Sequence, residues 1–162
     1  MVGWIARRIH LRAGGYALVE LLTTILIIGI LLSIALPMMR GIQARAWNRD
    51  AQTTLRYGVE TAKTAYNDNQ TYVGVNFTKL ATLERGFTFV NSTVLSTSPK
   101  SVSAYAANAT TWYGAALSKS GTCYAIRDII ARVNGGTAFA RSNAVACRGN
   151  AVTALAYSAT GW

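Results

Sequence analysis

This 162-residue chain has only six acidic side chains and one histidine. The histidine, His10, lies in a short basic head, and no general acid–base pair or nucleophile triad suggests itself among what remains. No GxGxxG or Walker-type loop is present, and Asn134-Gly135-Gly136 is too short to be more than a turn. The two cysteines, Cys123 and Cys147, form neither a CxxC nor a Cys/His cluster, which argues against a zinc site. The pattern therefore points away from an enzyme and asks for no metal or cofactor. One acid stands out by its surroundings. Glu20 sits at the start of a run in which no other charge occurs until Arg40. An ionised carboxylate in a bilayer costs several kcal/mol and marks a functional position.

The run that surrounds Glu20 organises the chain. From Leu21 to Met39 the residues are almost all Leu, Ile and Ala, about 19 positions, roughly the length a helix needs to cross the hydrocarbon core. Arg7, Arg8 and Arg12 precede it, and no acid does, which holds the head on the cytoplasmic side. An ordinary signal peptide places a small-residue cleavage site after its apolar core. Here Gly14-Gly15 comes before the core, no Ala-x-Ala follows it, and Leu36-Pro37-Met38 at its end is a poor signal-peptidase site, so the apolar segment is expected to stay with the mature protein.

The net charge is +10, from 16 basic and 6 acidic residues. Such an excess favours acidic partners such as nucleic acid, anionic polysaccharide or an anionic cell surface. Lys119, Arg127, Arg132, Arg141 and Arg148, with Trp112, Tyr113 and Tyr124, could supply phosphate contacts and stacking surfaces for DNA. They are scattered along the sequence, which favours a solvated basic surface. Charged residues make up only 14% of the chain, and the abundance of Ala, Thr, Ser and Asn suits an exported surface protein. In such a domain an even cysteine count suggests one disulfide, Cys123–Cys147, stabilising by roughly 3 kcal/mol; two reduced, buried thiols are the alternative. Asn69, Asn76, Asn91 and Asn108 each begin an Asn-x-Ser/Thr sequence, a pattern this composition also generates by chance.

The elements follow from periodicity. Ala44, Trp47, Ala51, Leu55, Val59, Ala62 and Tyr66 recur at three- and four-residue steps, with Arg45, Arg49, Arg56 and Lys63 off that stripe. Residues 16 to about 66 thus read as one helix, apolar all round at first and amphipathic later, about 75 Å long. Gly29 and Pro37 are weak points in it. Trp47 and Tyr57 are candidate interface residues. Asn67-Asp68-Asn69-Gln70 ends the helix. After a connecting region the period drops to two, and 87–95, 102–107, 111–117 and 122–129 read as strands of an antiparallel meander of about four strands. One face of that sheet must pack on the amphipathic half of the helix. The expected class is α+β, divided as a head (1–15), an apolar helix (16–40), its amphipathic continuation (41–66) and a sheet domain (67–162). Residues 131–162 give no clear pattern.

Gly15 followed by Tyr16-Ala17-Leu18-Val19-Glu20-Leu21-Leu22 resembles the cleavage and methylation motif of type IV prepilins. That family has a short basic leader ending in Gly, an aromatic or Met residue next, and Glu as the fifth mature residue. Gly29 and Pro37 match positions where the family's helix loosens as subunits pack into a filament. Tyr16 departs mildly from the usual Phe. The motif covers about 25 residues and is specific, since leader, Gly, Glu and Pro must agree in spacing. More loosely, Ser118-Lys119-Ser120-Gly121-Thr122-Cys123-Tyr124 resembles the hairpin and cysteine of some pilins. The resemblance implies cleavage between Gly15 and Tyr16 by a prepilin peptidase and N-methylation of Tyr16. It also implies a precursor anchored in the cytoplasmic membrane, and an assembly platform and extension ATPase that drive polymerisation into an extracellular pilus. Such homo-oligomeric filaments serve adhesion, twitching motility or DNA uptake. Glu20 is expected to pair with the α-amine of Tyr16 on a neighbouring subunit and so set register.

Two alternatives lie within the resemblance, a type II secretion pseudopilin and a minor pilin acting as a DNA or surface receptor. The absence of an Asp-rich loop after Asp128 speaks for a pilin over calcium-loop pseudopilins. A plain signal-anchored surface domain would leave Gly15–Tyr16 uncut.

Overall fold

The computed structural model describes residues 17–131, 133 and 135–162. The chain divides into two compact units, with the boundary between Arg40 and Gly41. One helix, α1 (Leu18–Asn69), contributes to both. In the first unit its apolar side chains find no cover among the described residues, every one of which is exposed there.

In the second unit, α1 packs on a five-stranded sheet of order β1-β2-β3-β4-β5. The strands are β1 (Thr88–Asn91), β2 (Ser101–Ala106), β3 (Thr111–Leu117), β4 (Cys123–Ile129) and β5 (Gly136–Ser142). The helical stripe read from the sequence is the packing face: Ala51, Leu55, Val59 and Ala62 are buried, joined by Thr54, Gly58 and Ala65. They meet Val102, Ala104, Trp112, Tyr124 and Ile126 from the sheet. Alternate residues of β3 and β4 share that face because side chains in a strand alternate sides. Trp112 lies across its own strand: a Cβ on Gly114 would come within 2.7 Å of the indole. Only glycine leaves room for it.

The helix continues to Asn69, past residue 66, and ends where Gln70 adopts φ 54° and donates its N–H to the Tyr66 carbonyl at 2.6 Å. This is a left-handed helix C-terminus, for which a carboxamide side chain is better suited than a branched one. The connecting region contains a short helix, α2 (Phe77–Leu83), capped by Asn76, whose Oδ1 accepts the Lys79 N–H at 3.0 Å.

Two expectations for the sheet need correction. It is mixed, because β1 runs parallel to β2, with Thr88 opposite Ser101. The expected strand 87–95 stops at Asn91, where Asn91 Oδ1 takes the Thr93 N–H and the Asn91 carbonyl takes the Val94 N–H. That turn sends residues 92–100 back so that β2 starts beside the start of β1. Ser96 fastens this return: its Oγ donates to the Ser101 carbonyl at 2.6 Å and accepts the Leu117 N–H at 2.9 Å. The sheet also has five strands instead of four. In β5, Ala138 and Ala140 alternate with Thr137, Phe139 and Arg141, and small alanines hide the period of two.

The outer face of the sheet is covered by the C-terminal segment. Cys147, Val152, Leu155 and Tyr157 pack on Ala115, Cys123, Ala125 and Ala140. Cys123 and Cys147 are joined in a disulfide, with Cα atoms 5.4 Å apart. Trp162 returns to the helix face, donating its indole N–H to the Ala125 carbonyl at 3.1 Å and packing against Tyr124 and Phe139.

Candidate assembly surface and a buried polar anchor

In the first unit, Glu20 lies in the opening turn of α1. Its Oε2 accepts the Ala17 N–H at 3.1 Å, and its own N–H reaches the Ala17 carbonyl. The carboxylate thus satisfies an orphan donor at the positive end of the helix dipole. Among the described residues it has no cationic partner. Gly15 and Tyr16 lie outside the described residues.

From Leu18 to Ile42 the large apolar side chains are each at least half exposed. The few polar side chains among them turn inward. Thr23, Thr24 and Ser33 each donate a hydroxyl to the backbone carbonyl three residues earlier, at 2.7–3.0 Å. This leaves an outer surface of nearly pure hydrocarbon, interrupted by Glu20 near its start and Arg40 near its end. Gly29 sits in a shallow apolar strip between Leu22, Ile25, Leu26, Ile30 and Ser33, with open space where a Cβ would stand. The helix continues through Pro37; proline has no N–H, so the Ser33 carbonyl loses its usual donor. The stretch is long and apolar enough to cross a membrane.

The second unit holds a feature that periodicity does not reveal. Asp128, on β4, is 1% exposed on the helix face of the sheet. Tyr72 Oη donates to its Oδ2 at 2.7 Å, Thr137 Oγ1 donates to its Oδ1 at 2.7 Å, and Lys63 Nζ lies 3.6 Å from Oδ1. One carboxylate therefore ties together α1, the loop after it, β4 and β5. The sequence signal was slight: Asp128 follows Arg127 in β4, and only strand alternation puts it on the same face as the apolar Tyr124 and Ile126. A second polar tie links α1 to the β3–β4 turn, where Asn48 Oδ1 accepts hydroxyls from Ser118 at 2.7 Å and Ser120 at 2.6 Å.

Burial, followed by the hydrogen bond to Asp128, drives the Tyr72 hydroxyl well above its ordinary pKa of 10.0. A group with a raised folded-state pKa binds its proton more tightly when folded. Its contribution is fully present below pH 10.0 and is lost as pH rises above that value. Stability is therefore expected to fall through this alkaline range, as followed by near-ultraviolet circular dichroism. Tyr72→Phe should flatten that fall, at a cost of about 1–2 kcal/mol at neutral pH for the lost hydrogen bond.

The residues considered for DNA contact do not form one platform. Trp112 and Tyr124 are buried in the core, at 0% and 3% exposure, and cannot stack on a ligand. Tyr113 is packed between Tyr105 and Tyr157, and the Arg127 guanidinium lies 4.7 Å from the Tyr157 ring. Lys119 and Arg141 are exposed and Arg148 half-buried; Arg132 lies outside the described residues. Of the interface candidates, Trp47 is half-buried and Tyr57 is 61% exposed. Asn69, Asn76, Asn91 and Asn108 are all exposed.

No family model, curated protein or solved structure matches the chain.

Proposed function

We propose that the protein is a type IV pilin-like subunit that polymerises through its N-terminal helix into an extracellular filament. The observation that carries this reading is the exposed hydrocarbon surface of residues 18–39, broken by the single carboxylate of Glu20. A helix apolar all round is suited to lipid or to the centre of an assembly. A plain anchor has no use for a carboxylate near one end, whereas a polymer needs a device that fixes register. The α+β layout, with half the helix on the sheet and a disulfide-bounded C-terminal segment, accords with the pilin fold.

In this reading the precursor is held in the cytoplasmic membrane by residues 16–40, and a prepilin peptidase cuts after Gly15 and methylates Tyr16. Glu20 then pairs with the Tyr16 α-amine of the neighbouring subunit. Pairing offsets the cost of burying each charge, and either partner alone is strongly destabilising. Gly29 and Pro37 loosen the helix as it leaves lipid for the filament core. The assembly platform and extension ATPase supply the work.

Glu20→Ala is the direct test of register. The expected result is normal accumulation of membrane-held precursor with loss of surface filaments in electron micrographs of sheared material. Normal filaments from this variant would sink the pairing role.

A further inference from the structure

The second unit is strongly basic, yet three of the four acids it leaves at the surface, all but Asp68, are gathered on one flank. Outside Arg7, Arg8, Arg12, Arg40 and Glu20, the chain's 16 basic and 6 acidic residues all lie in 41–162, a ratio of 12 to 5. Of these five acids Asp128 is buried, and Asp50, Glu60 and Glu84 line two adjoining grooves that share Tyr57. The larger, about 520 Å³, is lined by Asp50, Thr53, Thr54, Tyr57, Glu84 and Phe87. With so many cations in the unit, pairing within the chain would be easy. Even so, among the described residues neither Asp50 nor Glu84 has an ion pair. Lys100 lines the same groove without pairing to either. The Glu84 carboxylate accepts only the Gly86 N–H.

We propose that this groove receives the Ile42–Arg49 ridge of a second copy of the chain. On α1, Ile42, Arg45, Ala46 and Arg49 stand at three- and four-residue steps and form one exposed, apolar and basic strip, bordered by Asp50 where it adjoins the groove. Its chemistry is the complement of the groove's. Arg45 and Arg49 meet Asp50 and Glu84, Tyr57 offers an aromatic face to a guanidinium, and Ile42 and Ala46 cover Thr53, Thr54 and Phe87. Ridge and groove adjoin at Asp50 but are otherwise built from different residues, so a contact of one ridge with one groove is heterologous. Such a contact propagates as an open helical array unless its rotation closes a ring.

The inference shares its setting with the reading as a polymerising subunit but does not depend on cleavage or methylation. Its test uses the full chain in detergent micelles at low salt, with photoreactive benzoyl-phenylalanine in place of Tyr57. Tyr57 is exposed, so the replacement leaves the core intact. Irradiation followed by peptide mass spectrometry is expected to give intermolecular adducts on residues 42–49. Asp50→Arg with Glu84→Arg should lower their yield about tenfold or more, as like charges then face each other. Adding Arg45→Glu and Arg49→Glu to the same chain should restore them. Adducts on another surface, dimers without adducts at 42–49, or failure of the double reversal to restore yield in chains with wild-type circular dichroism would overturn the proposal. An uncut Gly15–Tyr16 bond in cells would count against the filament reading and leave this result standing.

Discussion

Replacing Asp128 with alanine is expected to destabilise the sheet unit by about 3–5 kcal/mol, the range for breaking a buried charge network from one side. The change removes the acceptor of Tyr72 Oη and Thr137 Oγ1 and the anionic partner nearest the sheet for Lys63. Two hydroxyls then compete for no acceptor in an interior lined by Trp112, Ile126 and Ala62. Each buried polar group without a partner carries its own desolvation cost. Asp128→Asn keeps the shape and one carbonyl acceptor, so a smaller loss is expected. The comparison is made by thermal unfolding of the chain in detergent, followed by near-ultraviolet circular dichroism. Equal stability of Asp128→Ala and the parent would contradict the anchor assigned to this residue.

The second large effect belongs to the disulfide. Cys123 and Cys147 are separated by 24 residues and hold the C-terminal segment on the outer face of the sheet. Changing both to serine is expected to cost about 2–5 kcal/mol, in line with removal of a native disulfide from a small exported domain. For a unit of this size the melting temperature should fall on the order of 10 °C. The loss reaches beyond loop entropy, because the Cys147 carbonyl accepts the Ser96 N–H and Ser96 in turn holds the return between β1 and β2. Limited proteolysis should accordingly cut 143–157 first in the variant. A reducing agent applied to the parent should reproduce both changes.

These two sites differ in how far the sequence discloses them. The cysteine pair is legible from count and context. The helix stripe from Ala51 to Ala62 is equally legible, because burial against a sheet imposes its period directly. Asp128 carries only a slight local signal, its place in the strand alternation, since its partners Lys63, Tyr72 and Thr137 come from three elements that topology alone brings together. The same limit explains the sheet. The strands 111–117 and 122–129 lie within a residue of β3 and β4, being local hairpin partners joined at Ser118–Gly121. The parallel entry of β1 depends on Ser96 bonding to Leu117, 21 residues away, and no local pattern carries that. β5 was lost because alanine at 138 and 140 is as much at home in a helix as in a strand.

The N-terminal stretch is the opposite case. Its spacing says more than its conformation, because a helix of leucine and isoleucine looks alike in an anchor and in a subunit of a polymer. What separates the two readings is the placement of Gly15, Tyr16 and Glu20. In the structure Glu20 bonds to Ala17 N–H within its own helix; the proposed pairing adds a neighbour's charge to a carboxylate already held at the helix start.

The central claim is therefore tested at one end of the polypeptide. Surface fibres are sheared from cells, their identity is checked by electron microscopy, and the subunit's N-terminal peptide is measured by mass spectrometry. The account predicts a peptide that begins at Tyr16 and carries one added methyl group. Recovery of residues 1–15 still attached in assembled fibres would contradict it.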